Sequence, residues 1–218
     1  MFSEKDLDIA RSIVKCLNLP KTQFCDSDYD DYRTDINKVF PDLDYTLTSG
    51  ATRLVIIVHD LPFVIKIAFD GTWDWDENDE DVYSLFPCDY NEKEEEMTNL
   101  LAENGFGALV PEIEYLCHHN SHSVYVQEKV PFGPFDHCIK MPSDKSMKIS
   151  KNIRAPFDYC NTVWRAFVID LYGEQFWTSL VNWDCINAIG LFEDMHGGNY
   201  GYDAFGRPKF LDVGGYIR

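Results

Sequence analysis

Asp194-Met195-His196-Gly197-Gly198-Asn199, followed by Asp212-Val213-Gly214-Gly215, is the stretch on which the reading of this chain turns. Two carboxylates and one carboxamide stand there on short, glycine-bearing segments. Asn199 and Asp212 offer hard oxygen donors of the kind magnesium takes. Asp194 can orient and deprotonate an attacking hydroxyl. Apolar stretches flank these letters: Ile186–Phe192 before them, Tyr200–Tyr202 and Phe210–Leu211 after them. The expectation is a set of polar groups on turns held by buried elements. The competing reading is two ordinary turns, Gly197-Gly198 and Ala204-Phe205-Gly206-Arg207, whose acids merely cap backbone N–H groups.

Working outward, the composition is that of a folded chain. The 218 residues are 45% hydrophobic and 15% aromatic, enough for one domain or two closely packed lobes. A net charge of -18 argues against nucleic acid as a general partner, because phosphates are repelled. It suits a basic protein partner or plain solubility. No apolar run approaches the roughly 18 residues of a membrane span, so no membrane partner is expected. Met1–Asp6 shows neither part of a signal peptide. The seven cysteines are scattered, without Cys-x-x-Cys, and read as reduced thiols of a cytosolic protein. Cys117, His118, His119 and His122 lie close enough to raise zinc. Without a second cysteine pair they read as a polar loop.

Upstream, Ser3 predicts the cap of a helix to about Leu17, with Leu7, Ala10, Val14 and Leu17 on one face and Ile9 and Ile13 beside them. An acidic loop over Asp26–Asp31 and a short helical piece ending near Phe40-Pro41 follow. The first stretch is expected to pack on the back of a sheet or else to hold a partner. From Tyr45 to Phe69 the period becomes that of strands, with β-branched runs Leu54–Val58 and Phe63–Ala68. Ahead of them Thr48-Ser49-Gly50-Ala51-Thr52-Arg53 is either a plain hairpin turn or a place where small residues let backbone N–H groups approach an anion. Lys66 stands inside an apolar strand. A buried lysine needs a partner, whereas one on an edge strand snorkels to water. The acidic run Asp70–Asp81 reads as a solvated loop, with a docking site for a basic partner, gripped by Trp73 and Trp75, as the alternative.

A helix over Tyr90–Glu103, ended by Asn104-Gly105, is expected to turn Met97, Leu100 and Leu101 inward. Glu94 continues that face and is the expected partner of Lys66, with Glu95 the alternative. Two strands, about Ile113–Leu116 and Ser123–Glu128, lead into the Pro/Gly-rich segment Lys129–Pro134, a natural lobe boundary. Residues Ser143–Arg154 read as a surface loop. Helices over Asp158–Tyr172 and Glu174–Ile189 are expected to break at Gly173, the second with Trp177, Leu180, Val181, Cys185 and Ile189 on its apolar face.

The pattern Asp-x-His-x-Gly-Asn with Asp-x-Gly downstream resembles the catalytic and metal-binding loops of the protein-kinase-like superfamily. It takes the form seen in aminoglycoside and choline kinases and, more closely, in small bacteriophage serine/threonine protein kinases. The resemblance covers roughly Leu47 to Tyr216. It implies an α+β, two-lobed protein-kinase-like fold. Residues 1–44 would be an N-terminal helical extension. Residues 45–129 would be an N-lobe of small antiparallel β-sheet with one helix. Residues 130–218 would be a truncated, mostly helical C-lobe carrying both loops.

The resemblance also implies ATP and Mg2+ as cofactors. Ser49, Gly50, Ala51 and Thr52 would cover the phosphates, Lys66 would pair the α- and β-phosphates, and Glu94 would hold Lys66. Glu128 and Val130 would bind the adenine edge, with Gln127 at the back of the pocket. Asp194 would serve as catalytic base, Asn199 and Asp212 as metal ligands. His196 is grouped with the catalytic residues, its ring expected to hold the loop in shape. Only six residues follow Asp212, too few for a long activation segment, so an acceptor platform is expected from the 129–160 region or the first helix. The implied partner is a host protein in the host cytoplasm. A small-molecule phosphotransferase is the alternative enzyme, and a pseudokinase that captures a host protein is the alternative from another class.

Overall fold

Residues with branched or aromatic side chains between Tyr45 and Glu128 assemble one sheet, because such side chains fill a pleated, half-buried surface. The computed structural model describes residues 2–24, 29–49, 52–75, 81–85, 90–130, 165–187, 199–203 and 205–213. The sheet takes β1 (Tyr45–Ser49), β2 (Arg53–Val58), β3 (Phe63–Ala68), β6 (Ile113–His119) and β7 (His122–Glu128), in the order β1-β2-β3-β7-β6. Every pairing is antiparallel. A separate two-stranded sheet is formed by β4 (Gly71–Trp75) and β5 (Asp81–Leu85). With its helices the fold is α+β.

The chain divides into two compact units, residues 1–95 with 112–129, and residues 96–111 with 130–218. In the first unit, α1 (Glu4–Cys16) starts at Ser3, whose hydroxyl accepts the Asp6 N–H at 3.2 Å. Its buried side chains Leu7, Ala10, Ile13 and Val14 share one cluster with Leu54, Ile56, Phe63, Ile65, Val124 and Val126 of the sheet. Tyr32 and Ile36 of α2 (Tyr29–Val39) belong to the same cluster. Strand side chains alternate between faces, so the helical segment covers the face carrying Leu54, Ile56, Ile65 and Ile67. Lys66, Val55 and Tyr125, which lie abreast in the register, occupy the other.

Several expectations are corrected. The acidic loop over Asp26–Asp31 is shortened, because α2 begins at Tyr29 and takes Asp30 and Asp31 into its first turn, where the helix dipole favours negative charge. The acidic run after Asp70 is in part a hairpin, since Gly71–Trp75 and Asp81–Leu85 pair as strands. It is anchored by Asp70, whose carboxylate accepts from the Phe24 N–H at 2.8 Å and from the Tyr83 hydroxyl. Strand β6 continues through Cys117, His118 and His119, so these residues are not a loop. Asn120 and Ser121, both at positive φ, make the tight turn into β7. The His119 and His122 rings bond the carbonyls of Leu17 and Pro20 at 2.9 and 2.7 Å, tying the end of α1 to this hairpin. Among the described residues no group of three or more His, Cys, Asp or Glu is arranged to hold a metal, and Cys16, Cys117 and Cys185 are free thiols.

Helix α3 (Tyr90–Glu103) stops where expected. Gly105 takes φ +87°, the Phe106 N–H reaches Leu101 O at 2.8 Å and the Gly105 N–H reaches Ala102 O at 3.1 Å. This is a Schellman closure, with Phe106 packed beside Leu101. Met97 and Leu101 are buried, but Leu100 is exposed, because it lies a quarter-turn off the stripe through Glu94 and Leu101. In the second unit, Met97, Leu101, Phe106, Leu109 and Val110 form a core with Val168, Leu180, Tyr202, Phe210 and Val213. The helix over 165–172 (α4) ends at Gly173, at φ +89°, and α5 (Glu174–Asn187) follows. The buried face of α5 carries Leu180 and Asp184, whereas Cys185 and Ile186 are exposed. Of the predicted face, Leu180 is buried and Trp177 packs against the core, whereas Asp184 takes the buried place expected for Cys185. Ile189 and residues 143–154 lie outside the described residues. No helix among the described residues is long and apolar enough to cross a membrane.

Because Ile13 is fully buried between α1 and the sheet, Ile13→Ala is expected to lower stability by about 2–5 kcal/mol, read as a fall in the urea midpoint. An unchanged midpoint would place α1 outside the core.

Candidate functional site

The polar side of the first unit begins with strand periodicity. Lys66 sits on β3, the middle strand of five, flanked by the buried Ile65 and Ile67 that point the other way. It is not an edge-strand lysine. Helix α3 brings Glu94 to it: Lys66 Nζ lies 3.0 Å from Glu94 Oε1 and 2.9 Å from Oε2. Asn91, one turn earlier, donates to Lys66 O at 3.1 Å and to Ser123 O at 3.3 Å, which fixes the start of α3 on β3 and β7. The Glu94 carboxylate has 0% exposure, and two further groups hold it. Gln127 Nε2 donates to Oε1 at 2.8 Å, and Arg53 Nη1 donates to Oε2.

All four side chains are buried. Removing such charges from water costs several kcal/mol each, so only close geometry and saturated hydrogen bonding make the arrangement stable. Glu95, the alternative partner, is hydrogen-bonded by the Tyr125 side chain instead. Burial pushes its carboxyl up, with Glu92 and Glu114 adding to the shift against the Tyr125 bond.

The other residues expected around a nucleotide fall as follows. Ser49 ends β1 and pairs with Leu54, so the Ser49–Arg53 connection joins two antiparallel strands. Thr52 O accepts the Phe69 N–H at 2.9 Å. Gly50 and Ala51 lie outside the described residues. Glu128 ends β7, with its N–H given to Glu112 O at 2.7 Å and its carboxylate accepting the Glu112 N–H at 3.2 Å. Val130 follows it in the chain.

In the second unit the short strands β8 (Tyr200–Tyr202) and β9 (Pro208–Phe210) pair antiparallel, Tyr200 opposite Phe210. The ladder extends one step, with the Leu211 N–H on Asn199 O at 2.9 Å. Asn199 and Asp212 therefore stand at the same, open end of this hairpin. A carboxamide and a carboxylate so placed fit a hard cation that keeps several waters and takes the rest of its ligands from phosphate oxygens. Asp194 and His196 lie outside the described residues.

The closed end of the hairpin is held by Asp203, which the sequence reading passed over. Its Oδ1 accepts the Phe205 and Arg207 N–H groups at 2.8 and 3.0 Å, and its Oδ2 takes Arg207 Nε at 2.5 Å. Burial pushes the Asp203 carboxyl up, but the Arg207 N–H, the Arg207 guanidinium and the Phe205 N–H together hold it below the usual aspartate value. Lys209, also buried, donates to Val110 O at 2.9 Å and fastens β9 to the segment after α3. Arg53 was missed too. Its signal was the one that marked Lys66: a cation entering an apolar strand, here at the end of the Thr48–Thr52 connection.

No protein-family model matches the chain, and no curated protein matches it. Among solved structures it is similar to the Rio2 kinase-ADP/Mg2+-phosphoaspartate complex from Chaetomium thermophilum. The identity is 16%, with 88% of this chain and 54% of that chain covered and a TM-score of 0.39. The chain thus spans about half the length of that protein.

An aspartate whose folded value is depressed contributes stability above its unfolded value, and loses that contribution as pH falls through the folded one. Asp203→Asn is therefore expected to cost about 1–3 kcal/mol near neutral pH. The gap to the native chain should close as pH is taken below 3.8. Urea unfolding of both proteins across that range measures it, and a pH-independent gap would contradict the assignment.

Proposed function

We propose that this chain is an ATP-dependent phosphotransferase of the protein-kinase-like kind, acting on serine or threonine hydroxyls of proteins. The observation that carries the reading is the Lys66–Glu94 pair. A lysine on the central strand, clamped by a fully buried helix carboxylate, is a fixed cation of the kind that orients phosphates. The sequence around Asp194 supplies the second support, since it has the acceptor-activating and metal-binding letters at the spacing of such enzymes.

In this assignment Lys66, steadied by Glu94, takes the α- and β-phosphates. Ser49, Gly50, Ala51 and Thr52 cover them with backbone N–H groups. The adenine edge is assigned to the Glu128 carbonyl and the Val130 N–H, because the Glu128 N–H already serves Glu112. Asn199 and Asp212 would hold magnesium, whose charge offsets that of the phosphates. Asp194 orients the acceptor hydroxyl and takes its proton, and His196 shapes that loop. The chain's work is positioning and charge stabilisation rather than covalent chemistry. A bacteriophage-type enzyme acting on host proteins in the host cytoplasm is the form that the loop resemblance favours.

Unit charges about 4 Å apart at a surface-like dielectric interact by about 4 kcal/mol, roughly three decades in rate when felt only in the transition state. Lys66→Ala and Asp212→Ala are each expected to lower transfer from labelled ATP by about that factor. Both should keep their fold, since Arg53 and Gln127 remain on Glu94 in the first and the Asp203 turn remains in the second. Near-native turnover in either variant removes the assignment. Incubation with bacterial lysate separates the acceptors. Labelled protein bands support the proposal, and a labelled small product makes the chain a metabolite phosphotransferase. No transfer together with tight capture of one protein makes it a binding module.

A further inference from the structure

Glu94 is held by more charge than one carboxylate needs. Lys66 Nζ bridges both carboxylate oxygens at 3.0 and 2.9 Å, Gln127 adds a neutral amide at 2.8 Å, and Arg53 adds a second full cation on Oε2. We infer that Arg53 is a positioning residue: it keeps the Glu94 carboxylate in place while Lys66 is engaged with phosphate. This rests on the phosphotransferase reading above.

An ammonium that turns toward phosphate oxygens loosens its hold on its carboxylate, and a buried carboxylate left without its cation is costly. With a single cation, binding phosphate and keeping Glu94 in place would compete. Arg53 removes the competition. Its guanidinium stays charged at any accessible pH and presents a rigid donor fork. Its backbone is fixed as the first residue of β2, opposite Ala68 of β3, and the side chain is buried. Gln127 cannot substitute, because an amide carries no charge. Arg53 also directly follows Thr52, so the clamp on Glu94 and the segment assigned to cover the phosphates share one backbone.

A cycle of variants tests this by calorimetry with Mg·ADP and with adenosine, on the full chain, with melting curves for every protein. Arg53→Gln should weaken Mg·ADP binding about tenfold in the native background and no more than about twofold in the Glu94→Gln background, because a residue acting through another loses its effect when that one is gone. Adenosine affinity should not change, and Arg53→Lys should recover most of the ADP affinity. Equal losses in both backgrounds would overturn the inference and make Arg53 a direct phosphate ligand. No loss in either would leave it a structural ion pair and overturn the inference equally. If Arg53→Gln does not fold, Arg53→Lys carries the test: a smaller loss that vanishes in the Glu94→Gln background is expected, and one that persists there refutes it. Failure of the underlying reading looks different, since the native chain itself would then bind no Mg·ADP.

Discussion

A carboxylate wholly withdrawn from water is the constraint on which the first unit depends. Glu94 is tolerable only because an ammonium, a guanidinium and an amide converge on it. Those three groups come from β3, β2 and β7, and the carboxylate comes from α3. The strand order and register must both hold for the three donors to meet, and a one-residue slip of any strand would turn its donor to the other face. A slip of β2 or β3 would turn a cation away from the buried carboxylate, and a buried charge that loses a partner is costly. The polar cluster thus selects one arrangement of the apolar elements around it.

The sheet can carry this burden because its other face is packed against a large apolar cluster. The two helices before β1 are part of the core, since Ile13, Val14, Tyr32 and Ile36 belong to the same cluster as Ile56, Phe63 and Ile65. Two histidines then tie the end of α1 to the β6–β7 hairpin. The strands bearing Lys66 and Gln127 are therefore fixed from behind, and side chains used for recognition need such rigid support.

The small hairpin of the second unit divides its labour by end. Asp203 gathers backbone and guanidinium donors at the closed end, and Lys209 anchors the second strand. With Tyr202 and Phe210 in the core, Asn199 and Asp212 stand at the open end. Asn199 and Asp212, thirteen residues apart in sequence, are brought to one end of the hairpin by three pairs of strand residues.

What was legible in the sequence was local. The start of α1 could be read because Ser3 caps it, the end of α3 because Gly105 alone suits the closing turn, and β2 and β3 because their β-branched runs allow little else. The apolar neighbours of Lys66 raised the need for a partner, helix spacing pointed to Glu94, and the central place of β3 excluded an edge-strand lysine. Charge hid the pairing of Gly71–Trp75 with Asp81–Leu85, and two adjacent apolar stripes on α5 hid which one is buried. Tertiary structure alone decided that Arg53 joins Glu94, 41 residues away. Sequence determines what each side chain requires, whereas which partner meets the requirement depends on strand order and register, and these are set by packing between segments far apart in the chain.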